Sequence, residues 1–230
     1  MSLSPSFLRN IRLDFRAAIF DLDGTLLNTL DDITDSMNIV LKELGYPVHS
    51  SDSIRYFVGR GIRHLVERSL PADRRDKKTL EHAAERMREV YHQNWDKKTR
   101  PYPGIPELLD ELARRGVKMS ILSNKPHAYT PGVVKRFLPR WSFDVVSGAK
   151  PDVPQKPNPD GALEIVCTLG KNPSDVVFVG DTDVDMETAC AAGLFPAGVL
   201  WGFRTEEELL KSGALAVFDK PVDILQLFQP

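Results

Sequence analysis

Several features that assign a chain to a particular class are scarce or absent in this sequence. Among its 230 residues, no apolar run approaches the roughly 20 residues that a membrane-spanning helix needs. The formal net charge is only −2, whereas nucleic-acid-binding proteins usually carry a strong basic excess. Residues 1–15 lack the apolar core of a secretory signal peptide. We therefore expect a cytoplasmic protein with neither nucleic acid nor a membrane as a partner. We also expect a monomer or homodimer.

Cysteine is scarce as well, with Cys167 and Cys190 as the only two in the chain. Both fall in helical patterns, and neither has a partner at the spacing of a metal site. We therefore expect buried, free thiols, as is usual in a cytosolic protein. The sequence also has no internal repeat and no low-complexity segment.

The most informative stretch is a short apolar run that ends in two acids. Ala17–Phe20 predicts a buried strand, which is followed by Asp21, Asp23 and Gly24. A carboxylate at the end of a buried strand has lost much of its hydration and needs a cation, a proton or a hydrogen-bond donor. Two such acids suggest that one attacks or binds a metal while the other moves protons. A solvated, aspartate-rich turn is the alternative.

The segment after this turn has helical periodicity. Apolar side chains recur every three or four positions, which predicts helices within residues 29–45, 51–70 and 80–95. Charged residues, prolines and a glycine in residues 97–104 end the pattern. Because no strand is predicted between residues 29 and 100, we expect an all-helical insert over residues 28–100.

Beyond this insert, predicted strands and helices alternate. Strands are expected at 117–123, 143–147, 176–180, 196–200 and 215–218, and helices at 133–138, 159–169, 183–192 and 204–211. This alternation predicts an α/β fold, a doubly wound parallel sheet with helices on both faces. Residues 1–27 and 101–230 would form this core, and its ligands would bind beyond the carboxyl ends of the strands.

Two polar groups are predicted near those strand ends. Ser123 follows an apolar strand and can donate its hydroxyl to an anion, with Asn124 next to it. Lys156 comes just before a predicted helix, where its ammonium could reach the same edge of the sheet. An ordinary polar turn and a solvated lysine are the alternatives for these two groups.

A third polar group contains Asp181 and Asp185. Asp181 leaves a predicted buried strand, and Asp185 lies four residues on, on the same helical face. Two carboxylates so placed suit Mg²⁺, which prefers a few hard oxygen ligands. A calcium loop is excluded, because its sixth and twelfth positions would be Met186 and Ala192 instead of glycine and an acid. Capping of a helix by acids is the remaining alternative.

Taken in order, the four groups resemble the four signatures of the phosphatases in the haloacid dehalogenase superfamily. Asp-Leu-Asp-Gly-Thr-Leu at residues 21–26 is similar to the first signature, and Ser123, Lys156 and Asp181 stand at the other three. The resemblance extends from Ala17 to about residue 199. It implies a Rossmann-like core, and it identifies the helical insert with the small cap that this superfamily places after the first strand.

The resemblance also implies the roles of the acids. Asp21 would attack phosphorus and form an aspartyl-phosphate. Asp23 would protonate the leaving oxygen, then deprotonate the hydrolytic water, and its backbone carbonyl would bind the metal. Mg²⁺ would be held by Asp21, Asp23, Asp181 and Asp185, the last either directly or through water. Lys156 would hold the transferring oxygens and neutralise Asp21.

Other positions would support binding of the substrate, a small phosphorylated metabolite. Ser123 would hold the transferring oxygens together with the lysine, and Thr25 and Asn124 would be supporting positions. The loop from Gly59 to Gly61 would face the catalytic acids from the cap.

Two arginines of the cap are candidates for contacting the substrate. Either Arg60 or Arg63 could meet a substrate carboxylate. Solvation of both arginines at a helix edge is the alternative.

Within the superfamily, phosphoglycolate phosphatases give the closest resemblance. Ser-Asn-Lys-Pro at 123–126 and Phe-Val-Gly-Asp-Thr at 178–182 carry it, whereas Asn28 departs from the aspartate of many relatives. We therefore expect Mg²⁺-dependent hydrolysis of a phosphomonoester, with 2-phosphoglycolate as the first candidate. A phosphomutase similar to β-phosphoglucomutase and a non-enzymatic phospho-acceptor domain are the alternatives. Asp23 argues against a true dehalogenase, since those members lack the second acid.

Overall fold

The computed structural model describes residues 14–151 and 153–229. Its strands are β1 (Ala17–Phe20), β2 (Leu27–Asn28), β3 (Arg100–Pro101), β4 (Lys118–Pro126), β5 (Val145–Ala149), β6 (Val176–Gly180), β7 (Phe195–Val199) and β8 (Ala216–Phe218). Six of them form one parallel sheet in the order β5-β4-β1-β6-β7-β8. The predicted α/β fold with a parallel sheet is confirmed.

Helices flank this sheet and fill the segment after the first strand. They are α1 (Leu30–Glu43), α2 (Ser51–Ile54), α3 (Gly61–Ser69), α4 (Lys77–Asn94), α5 (Ile105–Arg114), α6 (Thr130–Phe137), α7 (Asp160–Thr168), α8 (Asp183–Ala192) and α9 (Glu206–Lys211). Among the described residues, no helix is both long enough and apolar enough to cross a bilayer.

The central strand, β1, determines where the functional residues meet. All four of its side chains are fully buried, as expected for a strand covered on both faces. It pairs in parallel with β4 on one side and with β6 on the other. Because parallel strands end at the same edge of a sheet, the residues that follow β1 and β6 and those at the end of β4 come together there.

Helices α1 to α4 pack around an apolar cluster of their own. Large side chains such as Met37, Leu41 and Met87 are almost fully buried in it. The two ends of this helical insert meet in a short antiparallel ribbon of β2 and β3, which the sequence patterns did not predict. The buried carboxylate of Asp32 ties the ribbon to α1, since it accepts hydrogen bonds from the backbone N–H groups of Lys98 and Thr99 at 2.9–3.0 Å.

Besides the β2–β3 ribbon, three predictions differ from the structure. Helix α5 was not predicted, although its four buried apolar residues have helical spacing: Ile105, Leu108, Leu109 and Leu112. Both cysteines are exposed rather than buried, because neighbours such as Val166 and Ala189 occupy the buried faces of their helices. Strand β4 extends to Pro126, three residues further than predicted. Residues 1–13 of the expected N-terminal part of the core lie outside the described residues.

Candidate active site

Three buried carboxylates meet at the carboxyl edge of the sheet. Asp21 follows β1, Asp181 follows β6, and Asp185 lies in the first turn of α8. One oxygen from each lies within 4.8 Å of the others. Gly180 makes this approach possible, since a Cβ there would lie 2.2 Å from Asp185 Cβ. The structure therefore brings together acids that are up to 164 residues apart in the sequence.

Lys156 provides the positive charge inside this acidic cluster. Its Nζ lies 2.9 Å from Asp21 Oδ1 and donates to Asp185 Oδ1 at 2.6 Å. Its side chain is 3% exposed, so water screens these ion pairs only weakly. Burial alone lowers the pKa of Lys156, but Asp185 and Asp21 raise that pKa above its ordinary value. The lysine is therefore charged throughout the physiological pH range.

One lysine does not neutralise three carboxylates. Burial raises the pKa of Asp21 to about 7, with Asp185 and Asp23 adding to this effect and Lys156 opposing it. Burial, Asp185 and Asp21 also raise the pKa of Asp181. Lys156 and Asp21 form an ion pair without hydrogen-bond alignment, and no other described residue donates to this buried Asp21 Oδ1. These oxygens fit a hard divalent cation, which would offset the excess negative charge.

Neighbouring groups fix the orientation of the two acids that come from the β6 side. Thr25 Oγ1 donates to Asp181 Oδ1 at 2.8 Å, and the N–H of Phe203 donates to Asp181 Oδ2 at 2.9 Å. Asp185 Oδ2 accepts from the N–H and the hydroxyl of Thr182 at 3.0 and 2.6 Å. Thr25 is fully buried and does not line the neighbouring cleft. Its geometry is that of a support for Asp181.

A cleft separates this edge from the helical insert and opens to solvent. The core contributes Asp21, Asp23, Ser123, Asn124, Lys125, Pro126 and Tyr129 to its lining. The insert contributes Ile33, Val58, Gly59, Gly61, Ile62, Leu65, Met87 and Tyr91. The cleft is thus polar on the core side and largely apolar on the insert side.

Asn124 connects the insert to the lysine loop across this cleft. Its Nδ2 donates to the carbonyls of Gly59 and Lys156, both at 2.9 Å, and its Oδ1 accepts from the N–H of Lys156 at 3.0 Å. The φ of Gly59 is +123°, a backbone conformation that favours glycine. Gly59 and Gly61 line the same cleft as Asp21 and Asp23.

The two candidate arginines do not line the cleft. The guanidinium of Arg60 pairs with Asp183 at 2.7 Å and with Glu187 at 3.5 Å, on the outside of α8. Arg63 lies beside a separate surface groove formed with α4. This arrangement does not support a contact between either arginine and a substrate carboxylate.

The structure reveals one residue to which the sequence patterns gave no role, Lys125. Its buried Nζ lies 2.9 Å from Asp23 Oδ1 and 2.7 Å from the hydroxyl of Tyr91. Of the described residues that line the cleft, it is the only cation. A signal was available in the sequence, because residues two apart in a strand share a face. Lys125 stands two positions after Ser123, which also lines the cleft.

Comparisons with known proteins agree with this geometry. A family model described as haloacid dehalogenase-like hydrolase matches residues 18–199. The phosphoglycolate phosphatase of Aquifex aeolicus is 32% identical over 212 residues, which cover 92% of this chain and 96% of that protein. A crystal structure from Lactobacillus delbrueckii subsp. bulgaricus, 28% identical, has a TM-score of 0.88 over 94% of this chain and 100% of that one. A predicted phosphoglycolate phosphatase from Haemophilus somnus, 25% identical, has a TM-score of 0.85 over 96% and 100%.

Proposed function

The chain belongs to the haloacid dehalogenase-like hydrolase family, and we propose that it is a Mg²⁺-dependent phosphomonoester hydrolase with 2-phosphoglycolate as its first candidate substrate. The observation that carries the proposal is the convergence of Asp21, Lys156, Asp181 and Asp185 at one edge of the sheet. Relatives described as phosphoglycolate phosphatases that match nearly the whole chain support the choice of substrate.

Asp21 is the proposed nucleophile. One of its oxygens attacks phosphorus in line, the bond from phosphorus to the ester oxygen breaks, and an aspartyl-phosphate forms. Asp21 lines the cleft, which places its carboxylate next to the space where a phosphoryl group would bind. Lys156 and the hydroxyl of Ser123 hold the transferring oxygens, because a phosphoryl transition state needs preorganised donors and cations.

Asp23 is the proposed acid and base. It gives a proton to the leaving alkoxide in the first step and takes a proton from water in the second. That water attacks phosphorus and releases inorganic phosphate, which restores the free Asp21 carboxylate. Both Asp23 and Ser123 line the cleft, as these roles require.

Mg²⁺ would be held by the carboxylates of Asp21, Asp181 and Asp185 and the backbone carbonyl of Asp23. When bound, it supplies charge neutralisation, which lets an anionic nucleophile approach an anionic phosphate. Thr25 acts in this scheme by orienting Asp181.

The helical insert is the proposed cap, with boundaries near residues 28 and 100. Its apolar side chains over the cleft would exclude water from the phosphoryl group. A cytoplasmic location and a monomeric or homodimeric state belong to the same proposal.

A phosphate-release screen over small phosphorylated metabolites, with Mg²⁺ or with EDTA, tests the proposal. We expect release that needs Mg²⁺, and loss of release in Asp21→Asn with the fold retained by circular dichroism. Asp73→Asn, at an exposed carboxylate, is the matched control and should behave as the wild type. Wild-type rates in Asp21→Asn would contradict the assigned nucleophile. Conversion of β-glucose 1-phosphate to glucose 6-phosphate would instead indicate a mutase.

A further inference from the structure

The Asp23 carboxylate is held by one side chain. Lys125 Nζ donates to Asp23 Oδ1 at 2.9 Å and to Oδ2 at 3.1 Å. No other side chain or N–H among residues 14–151 and 153–229 donates to this carboxylate. The backbone of Asp23 is already fixed by the tight turn after β1, in which the N–H of Gly24 donates to the carbonyl of Leu27. Lys125 therefore determines where the carboxylate points.

The same ammonium contacts the helical insert. Tyr91, near the end of α4, places its hydroxyl 2.7 Å from Lys125 Nζ, and its ring centroid lies 4.6 Å from that atom. Tyr91 is 5% exposed and packs edge-on against Tyr129 of the core. Three groups from three parts of the chain thus form one buried cluster: Asp23 after β1, Lys125 from β4 and Tyr91 from the insert.

The two buried lysines of the site pair with different carboxylates. Lys156 lies with Asp21 and Asp185, on the side of the carboxylate cluster. Lys125 lies with Asp23 on the core side of the cleft, where its ammonium contacts Tyr91 of the insert. The carboxylate that must transfer a proton therefore has a cation of its own, which is not shared with the nucleophile.

We propose that Lys125, together with Tyr91, is a positioning residue that aims the Asp23 carboxylate at the leaving oxygen, so that leaving-group protonation requires a docked helical insert. This inference rests on the proposed function and adds a coupling between the insert and one proton transfer. Lys125 does not exchange a proton with the substrate; it acts through Asp23. Tyr91 is the part of the cluster that moves away if the insert moves.

The role of Asp23 can be tested by comparing two phosphate esters whose leaving groups differ in their need for a proton. An alkoxide needs a proton as it departs, whereas p-nitrophenolate is stable without one. Misplacing Asp23 therefore slows transfer from an alkyl phosphate more than transfer from p-nitrophenyl phosphate. The parameter kcat/KM isolates this step, because it reports the steps up to alcohol release and not the later hydrolysis of the intermediate.

The experiment measures kcat/KM of Lys125→Met and Tyr91→Phe with 2-phosphoglycolate and with p-nitrophenyl phosphate. We expect Lys125→Met to lose at least tenfold more activity on the alkyl ester than on the aryl ester. Tyr91→Phe should shift the same ratio in the same direction by a smaller factor. Lys118→Met, at an exposed lysine of the same strand, is the control and should leave the ratio unchanged.

The measured losses on the two esters decide whether Lys125 positions the Asp23 carboxylate. Equal losses on both esters, or no loss, would overturn the positioning role. If Lys125→Met does not fold, Tyr91→Phe still decides the question, because it removes one hydroxyl and leaves the ammonium in place. A wild-type protein that hydrolyses neither ester would instead overturn the proposed function on which the inference rests.

Discussion

Gly202 lies directly against the side chain of Asp181. A Cβ on Gly202 would sit 2.2 Å from Asp181 Cβ and 2.5 Å from Oδ2. Gly24 approaches the same carboxylate from another direction, and a Cβ there would lie 2.2 Å from Oδ2. Asp181 therefore lies between two glycines, and the loop after β7 helps to position one carboxylate of the acidic cluster.

Gly202→Ala is expected to displace Asp181 and to weaken binding of a divalent cation. The methyl group meets the side chain near its stem, so the carboxylate must shift rather than rotate away. We expect at least a tenfold rise in the Mg²⁺ concentration that gives half-maximal phosphate release, and the same loss in calorimetric Mg²⁺ binding.

Gly132→Ala is the matched control for this substitution. Gly132 lies in α6, and an added methyl group would meet no heavy atom of another element within 4 Å. Alanine should therefore stabilise the helix by about 0.5–1 kcal/mol and leave the site as it is. Unchanged Mg²⁺ affinity in Gly202→Ala would show that the loop after β7 does not shape the site.

In the metal-free protein, the free energy of unfolding is expected to fall as pH rises from about 4 to about 7. Burial raises the pKa of Asp21 from 3.8 to about 7, so the folded state holds this proton more tightly than the unfolded chain. Where the folded state binds more protons, stability decreases with pH. The raised pKa of Asp181 acts in the same direction. Since one pKa unit corresponds to about 1.4 kcal/mol, the loss amounts to a few kcal/mol.

Urea unfolding in EDTA across this pH range measures the effect. Asp21→Asn should give a flatter dependence, because the asparagine does not titrate and removes one charge from the cluster. Added Mg²⁺ should restore stability most at the upper end of the range. Parallel curves for the wild type and Asp21→Asn would contradict the assignment of the effect to this carboxyl.

Arg204 is expected to hold residues 55–61 of the helical insert over the site. Its guanidinium donates to the carbonyls of Arg55 at 2.9 Å and Val58 at 3.1 Å, and Arg55 donates in return to the carbonyl of Phe203 at 3.2 Å. Arg204→Ala leaves these carbonyls without their donor, which costs about 1–3 kcal/mol locally. We expect faster hydrogen exchange in residues 55–61 and a several-fold higher KM.

Arg136→Ala is the control for the removal of the Arg204 hydrogen bonds. Arg136 is 64% exposed and its nitrogen lies 3.8 Å from Asp96, so its removal should cost less than about 1 kcal/mol. If both variants change hydrogen exchange and KM alike, the Arg204 hydrogen bonds have no specific role in holding residues 55–61.

The fold was predictable where its signals are local. β6 follows from five consecutive apolar or small residues, and α8 ends as predicted at Ala192, before Gly193, which adopts a φ of +69°. The four groups at the strand ends were identified because each stands directly after an apolar run or before a helix. Parallel pairing then brings them together without further information.

Other parts depended on partners far away in the sequence. Whether Arg60 points into the cleft depends on Asp183, which lies 123 residues further on. Lys125 acquires its role from Asp23 and Tyr91, 102 and 34 residues away. A local sequence pattern does not identify contacts between residues that are far apart in the sequence. Helix α5 differs from these cases, because the helical spacing of its buried residues is a local signal that the sequence does contain.

The central claim is that Asp21 carries the phosphoryl group during turnover. Borohydride reduces an acyl phosphate to an alcohol, so trapping during steady-state hydrolysis converts a phosphorylated aspartate to homoserine. Peptide mass spectrometry after such trapping, with p-nitrophenyl phosphate as substrate, locates the residue. We predict homoserine at position 21 in the wild type and none in Asp21→Asn. Continued phosphate release with no reduced residue, or with one at another carboxylate, would contradict the account.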